Sequence, residues 1–207
     1  MATGVEQHRG GGFNPPEPTT KGGPDYGRFV DAVRALQDHT RAIDAPNDVI
    51  TRAAGLIEDV TALLAPYWTD EWTSPSGRRM DLPNRGNVLQ VPAELEKTAG
   101  GHVRGTAHFR RFHLGRNGAV HGGAIAMLFD SLLGYTAAKL TRSPYQRTAF
   151  LHINYRKIVP IEKDLQVDGV IERIDGRKIF VHGSLADEDV VLADGEALFV
   201  RLRPGQP

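Results

Sequence analysis

Gly118-Ala119-Val120-His121-Gly122-Gly123-Ala124-Ile125-Ala126-Met127-Leu128-Phe129-Asp130 opens the most apolar stretch of the chain, which continues to Leu140. Its length exceeds that of a strand and it begins at a glycine pair, so residues 121–140 read as one long buried helix. Four strand-like stretches follow, at 148–158, 165–174, 178–187 and 190–202. In the first, Ala149, Leu151, Ile153 and Tyr155 alternate with Thr148, His152, Asn154 and Arg156, the period of a half-buried strand. Asp175-Gly176 joins the second and third as a two-residue hairpin. Upstream, residues 103–112 read as another strand. One strand, one long helix and an antiparallel meander make an α+β layout in which the helix lies on a sheet.

Two features of the helix carry chemistry. Glycines at a helix start leave unpaired N–H groups open to close approach at the positive end of the helix dipole, a place to hold a carbonyl oxygen or the oxyanion it becomes. The plainer reading of Gly122 and Gly123 is close packing on the sheet. Asp130 sits in an apolar run, where a carboxylate is costly to bury unless paired, hydrogen-bonded or protonated. A salt bridge or a solvent-facing position is the alternative. Nine residues put Asp130 on the opposite side of the helix from His121, roughly 13 Å along the axis. The two features therefore act on one atom only if a second copy of the chain brings its Asp130 beside the first copy's glycine turn.

The rest of the chain is less regular. Residues 1–24 carry Gly10-Gly11-Gly12, Pro15-Pro16 and Gly22-Gly23-Pro24 with no apolar h-region, so a disordered tail rather than a secretory signal is expected. Residues 25–97 form a second unit. Phe29, Val33, Leu36 and Ile43 mark one amphipathic helix. Val49, Ile50, Ala53, Leu56, Ile57, Val60, Leu63 and Leu64 mark another, with Pro46 between them and Pro66 after. This is the pattern of a helical hairpin, whose apolar stripes are expected to be packing surface. An irregular connector follows, with Trp68 and Trp72 as structural anchors or as pocket lining, and residues 87–91 as a short strand. Residues 98–207 make the main domain.

Composition narrows the function classes. The 207 residues carry 25 Lys+Arg against 25 Asp+Glu, which argues against a whole-chain role in gripping nucleic acid or anionic membrane. The absence of cysteine excludes disulfides, thiolate nucleophiles and thiolate metal centres. No apolar run approaches the roughly 20 residues of a membrane span, and a soluble, cytoplasmic protein is expected. His102, His108 and His113 lack the spacing of a metal site and read as hydrogen-bonded or solvated side chains, so no metal is expected.

The segment 118–124 with Asp130 nine residues after the histidine resembles the signature of PaaI-type hotdog-fold acyl-CoA thioesterases. Thr148-Ala149-Phe150-Leu151-His152-Ile153-Asn154-Tyr155, Gly176-Arg177-Lys178-Ile179-Phe180-Val181 and Glu196-Ala197-Leu198-Phe199-Val200 resemble that family's later strands. The set is most similar to the mitochondrial long-chain acyl-CoA thioesterases of the thioesterase superfamily, over residues 103–202. The resemblance implies a hotdog fold, an antiparallel sheet wrapped around one long central helix, here with the helical hairpin as an N-terminal extension. It implies a homodimer, or a dimer of dimers, that hydrolyses acyl-CoA to free acid and coenzyme A without metal or cofactor.

Carried over by position, the resemblance implies that Asp130 is the catalytic carboxylate, as nucleophile or general base. It implies that the Gly122 N–H, with Gly123 close by, polarises the thioester carbonyl. Thr148 would hold the attacking water or steady Asp130, and His121 would orient the turn or contact the substrate near sulfur. Some relatives carry an asparagine six residues before the histidine as a second donor; Gly115 stands there, and Asn117 either substitutes or is a turn residue. Arg156, among several arginines, is a candidate for the phosphates of coenzyme A, or simply solvated charge. Three rivals stay in view. Of a non-catalytic acyl-CoA-binding or interaction protein on the same dimer, the acyl-CoA binder should lack the carboxylate, and the interaction protein should form a stable dimer with no turnover of any acyl-CoA. A hydratase would need a histidine beside the acid, where Gly134 and Tyr135 stand.

Overall fold

The computed structural model describes residues 17–70, 73–203 and 206. Helix α1 spans Tyr26–Ala42, α2 Asn47–Leu64 and α3 Gly122–Thr141. The strands are β1 (Ala93–Lys97), β2 (His102–His108), β3 (Gln146–Tyr155), β4 (Asp164–Asp175), β5 (Lys178–Asp187) and β6 (Val190–Arg201). They form one sheet in the order β1-β2-β4-β5-β6-β3, with every neighbouring pair antiparallel. The sheet curls around α3, whose Phe129, Leu132, Leu133 and Ala137 are buried against Leu165, Ile179, Val181, Leu185, Ala193 and Ala197. This is the sheet-wrapped helix that the resemblance implies.

A track of glycines lets the helix lie deep on the sheet. Gly169, Gly183 and Gly195 face one another in register across β4, β5 and β6. A methyl group on Gly183 would stand 2.7 Å from Leu133 Cδ2 and 2.9 Å from the Asp168 carbonyl oxygen. One on Gly169 would collide with Thr136 Oγ1, and one on Gly195 would stand 3.1 Å from Phe129 Cδ1. Thr136 is fully buried at this contact, and its hydroxyl donates to the Leu132 carbonyl at 2.8 Å, so no polar atom is orphaned.

Four expectations from the sequence need correction. Residues 87–91 are not a strand; the first strand is Ala93-Glu94-Leu95-Glu96-Lys97, inside the segment assigned to the connector. Its charges suit an edge strand with one half-buried face, a pattern too short and too polar to stand out by propensity. Residues 17–24, assigned to the disordered tail, lie against the connector: the Arg78 guanidinium donates to the Glu17 carbonyl at 2.8 Å, and Arg79 donates to the carbonyls of Lys21 and Gly23. Residues 1–16 lie outside the described residues, as does Trp72. Trp68 is 90% exposed, neither an anchor nor pocket lining in this chain.

The N-terminal helices occur where the periodicity puts them, but their apolar stripes are not packing surface. Phe29, Leu36 and Ile43 stay exposed, and α1 docks through Val30, Arg34 and Asp38 instead. None of the residues of α2 is buried against the described chain, and its contacts run mainly to the short 3-10 turn that continues it, Ala65–Tyr67. The two helices therefore do not close on each other as a packed hairpin.

Candidate active site

The helix and the edge strand β3 bring Asp130 and Thr148 together. Thr148 Oγ1 donates to Asp130 Oδ1 at 3.3 Å. Strict alternation along β3 would put Thr148 on the face opposite Leu151. A bulge changes that: Thr148 pairs with Phe199 and Phe150 with Leu198, leaving Ala149 as an extra residue. The alternation inverts at Ala149, so Thr148 turns toward the helix while Leu151 and Ile153 remain packed on the core.

Asp130 is exposed in the single chain, the solvent-facing position weighed for it from the sequence. It lines a cleft of about 720 Å³. Asp130, Ser131, Gly134 and Tyr135, one face of α3, form one wall; Gln146, Arg147 and Thr148 of β3 and Phe199 of β6 continue it. Met80, Leu82, Pro83, Asn84 and Arg85 of the connector and Ala93 to Leu95 of β1 complete the lining. The connector and the first strand thus complete a cleft whose acid comes from the helix.

The other end of α3 holds a second group. The N-cap is His121, whose Nδ1 accepts the Gly123 N–H at 2.9 Å. With Nδ1 accepting, the ring presents Nε2 as its donor. The Gly123 amide is therefore occupied and is not a free donor, whereas no described residue accepts from the Gly122 N–H. Tyr155 at the end of β3 donates its hydroxyl to the Gly122 carbonyl at 3.1 Å, pinning the peptide on its other side. Tyr155 was not singled out from the sequence for a site role; it shares the face of Leu151 and Ile153 beyond the bulge, which brings it to the glycine turn.

The loop leading into this turn is clamped from α1. Asp38 accepts from Arg110 Nε at 2.7 Å and from the Phe112 amide at 2.9 Å, and Arg41 donates to the carbonyls of Leu114 and Gly115. Burial works against the Asp38 charge, but the hydrogen bonds from Arg110 and the Phe112 amide outweigh it and hold its pKa below the ordinary carboxylate value. His113 lies beneath: its Nδ1 accepts the Arg110 N–H at 2.9 Å and its carbonyl accepts from the His121 amide at 2.8 Å. Burial, with the nearby Arg34 cation, lowers its pKa to about 4, so it is neutral at pH 7.

Asn117 sits at the tip of a turn with φ 52°, followed by Gly118 at φ 77°, and the Ala119 amide closes the turn onto the Arg116 carbonyl. This is the turn-residue position of the two weighed for it. Arg156 is engaged by Asp194 on β6, where Arg156 Nη2 donates at 3.2 Å and Asn154 Nδ2 also donates, at 2.8 Å. Within one chain the structure thus makes two groups, Asp130 with Thr148 and His121 with Gly122, Gly123 and Tyr155, at opposite ends of a helical segment. His102 and His108 are hydrogen-bonded to Asp168 and Asp164, both at 2.7 Å. No helix among the described residues is long and apolar enough to cross a membrane.

Comparison with known proteins points the same way. Residues 117–193, from the turn before α3 into β6, match the family described as thioesterase superfamily. The chain is 33% identical over 116 residues to the acyl-coenzyme A thioesterase THEM4 of Mus musculus, covering 55% of this chain and 47% of that one. It is 36% identical over 95 residues to THEM4 of Rattus norvegicus, covering 45% and 40%. The chain spans less than half the length of these curated relatives. A crystallised thioesterase superfamily protein superposes with a TM-score of 0.75 at 28% identity, over 89% of this chain and 97% of that one, so the likeness includes the N-terminal helices and connector. Residues 117–193 thus match the thioesterase superfamily, and the chain has the hotdog fold, a six-stranded antiparallel sheet wrapped around α3.

Proposed function

We propose that the chain hydrolyses acyl-CoA thioesters to the free acid and coenzyme A. The observation that carries this reading is Asp130: an accessible carboxylate, hydrogen-bonded by Thr148 and lining a roomy cleft, within the segment that matches the thioesterase superfamily. The names of the THEM4 relatives support the same substrate class.

The reaction needs a donor for the developing oxyanion, and the unpaired Gly122 N–H at the start of α3 is suited to it. Because that amide and Asp130 lie about 12 Å apart along one helix, we place the reacting carbonyl between two copies, with Gly122 from one and Asp130 of the partner subunit. The outer edge of β3 supports such pairing. Among the described residues β3 is hydrogen-bonded on one side only, and Phe150, Tyr155 and the following Ile158 are exposed along it. Asp130 either attacks the carbonyl carbon, giving an anhydride that water then cleaves, or takes a proton from the attacking water. In both, the thiolate of coenzyme A leaves and no metal or cofactor is used.

Thiol release from short, long and aromatic acyl-CoAs tests this, with wild type and Asp130→Asn assayed in parallel. Turnover by wild type and its loss in a mutant that keeps the same oligomeric size is the expected result. Equal turnover by both proteins would make Asp130 structural. Binding of acyl-CoA by wild type with no turnover at all would make the protein an acyl-CoA binder.

A further inference from the structure

The lining of the cleft contains a cation that no described residue engages. Asn84, Arg85 and Gly86 have φ of 46°, 57° and 74°, three successive left-handed residues of which two carry side chains. Such a backbone persists only where its surroundings impose it. Here they do: the Arg85 amide donates to the Leu82 carbonyl at 2.8 Å, and the Arg85 carbonyl accepts from the amides of Gly77 and Arg79 at 3.0 and 3.2 Å. The Asn84 side chain donates to the Val91 carbonyl, tying the turn to the start of β1. The result is a half-buried Arg85 lining the cleft.

Other buried arginines of this region are fully engaged. Arg34, 4% exposed, donates to the carbonyls of Gln90 and Asn87, and Arg79 forms a two-pronged pair with Asp81 and reaches two further carbonyls. The Arg85 guanidinium has no hydrogen bond and no ion pair with any described residue. Burial draws its pKa below the ordinary guanidinium value, partly offset by Tyr135, which lines the same cleft. The Tyr135 hydroxyl likewise has no hydrogen bond among the described residues. A desolvated guanidinium without a partner is costly, and the planar fork of arginine is matched to two-oxygen anions.

We infer that Arg85 binds a carboxylate carried at the far end of the acyl group, so that the preferred substrates are thioesters of dicarboxylic acids. This rests on the acyl-CoA reading above. Asp130 marks where the thioester lies, and Arg85 lines the same cleft together with the apolar side chains of Leu82, Leu95 and Phe199. An acyl chain with a carboxylate at its end offers each of these a partner. The phosphates of coenzyme A offer the same oxyanion chemistry, and the test separates the two sources.

Suberyl-CoA and octanoyl-CoA, which differ by one terminal carboxylate, are compared with wild type, Arg85→Gln and Arg85→Lys. The same two acyl groups are also presented as thioesters of N-acetylcysteamine, which has no phosphate. Wild type is expected to prefer the suberyl group at least tenfold in kcat/KM on both carriers. Arg85→Gln should lose that preference mainly through KM, and Arg85→Lys should restore part of it. A defect of Arg85→Gln confined to the coenzyme A thioesters, equal for both acyl groups, would assign Arg85 to phosphate and overturn the inference. No preference in wild type would also overturn it.

Calorimetry with free suberate and free octanoate makes the result independent of turnover. Suberate binding to wild type that Arg85→Gln loses, without any thioester hydrolysis, would sink the hydrolase reading and leave the carboxylate site standing.

Discussion

Thr148 reaches Asp130 because Ala149 is one residue too many for the ladder between β3 and β6. The bulge turns a side chain that regular alternation would send outward into the neighbour of the acid. Beyond it the strand alternates regularly, so Tyr155 shares the face of Leu151 and Ile153 and holds the Gly122 carbonyl.

The Thr148 hydroxyl steadies Asp130 through one hydrogen bond to a charged acceptor. Thr148→Ala is expected to lower kcat by about three- to tenfold, in keeping with the loss of one such bond, and Thr148→Ser is expected to stay near wild type. Steady-state kinetics on the best substrate of the acyl-CoA panel decides this, and an alanine variant as active as wild type would remove Thr148 from the site.

Gly122 allows its donor to be deleted without breaking the helix. It is the first residue of α3, where proline is tolerated, and His121 before it has the extended φ of −63° and ψ of 132° that a following proline requires. Gly122→Pro is expected to lower kcat by about 10²- to 10³-fold, the usual cost of one oxyanion donor. Mixing Gly122→Pro with Asp130→Asn and letting subunits exchange should restore activity to about a quarter of wild type, since half of the randomly paired dimers regain one of two sites. Continued inactivity of a mixture shown to contain mixed dimers would place both groups in the same chain.

His113 predicts a pH dependence of stability. Its folded-state pKa of about 4 lies below the unfolded value of 6.5, so the unfolded chain takes up the proton first as pH falls. The stability lost between pH 6.5 and 4 is on the order of 3 kcal/mol, from the size of that shift. It is fully present above pH 6.5 and gone below pH 4. Denaturant unfolding at a series of pH values should show this decline, and His113→Gln should flatten it. An unchanged slope in the variant would assign the effect elsewhere.

The exposed apolar face of α2 gives the opposite expectation. Leu56, Val60 and Leu63 are half-exposed or more, and no residue of that helix is buried against the described chain. Replacing Leu56 and Val60 by Ser should change the unfolding free energy of the dilute protein by less than about 0.5 kcal/mol, as for surface positions. A drop of several degrees in Tm would mean that the face is covered in solution.

The legible and illegible parts of the molecule divide along physical lines. The apolar density of Leu128, Phe129, Leu132 and Leu133 and the Asp175-Gly176 hairpin made α3, β4 and β5 visible, because burial and turn chemistry both leave short-range patterns. The identity of Asp130 was visible because a carboxylate in that run violates the pattern. Its exposure was not, since one turn of a helix on the rim of a sheet is open while the next is covered. The direction of Thr148 was hidden because a bulge adds a residue without altering composition. The cleft wall at Met80 to Arg85 was hidden because a run of turns has no period, and left-handed Asn84 and Arg85 are imposed by Gly77, Arg79 and Leu82 rather than by their own preferences.

The glycine track under α3 separates what can be varied in this protein from what cannot. Gly169, Gly183 and Gly195 set the depth of the helix, and the helix carries both Gly122 and Asp130, so enlarging any of the three would shift both ends of the reaction geometry together. The wall at residues 80–85 borders the same cleft but bears none of that helix's weight. A designer seeking a new acyl preference would therefore leave the sheet untouched and rewrite the connector, where a change in selectivity need not disturb the chemical step.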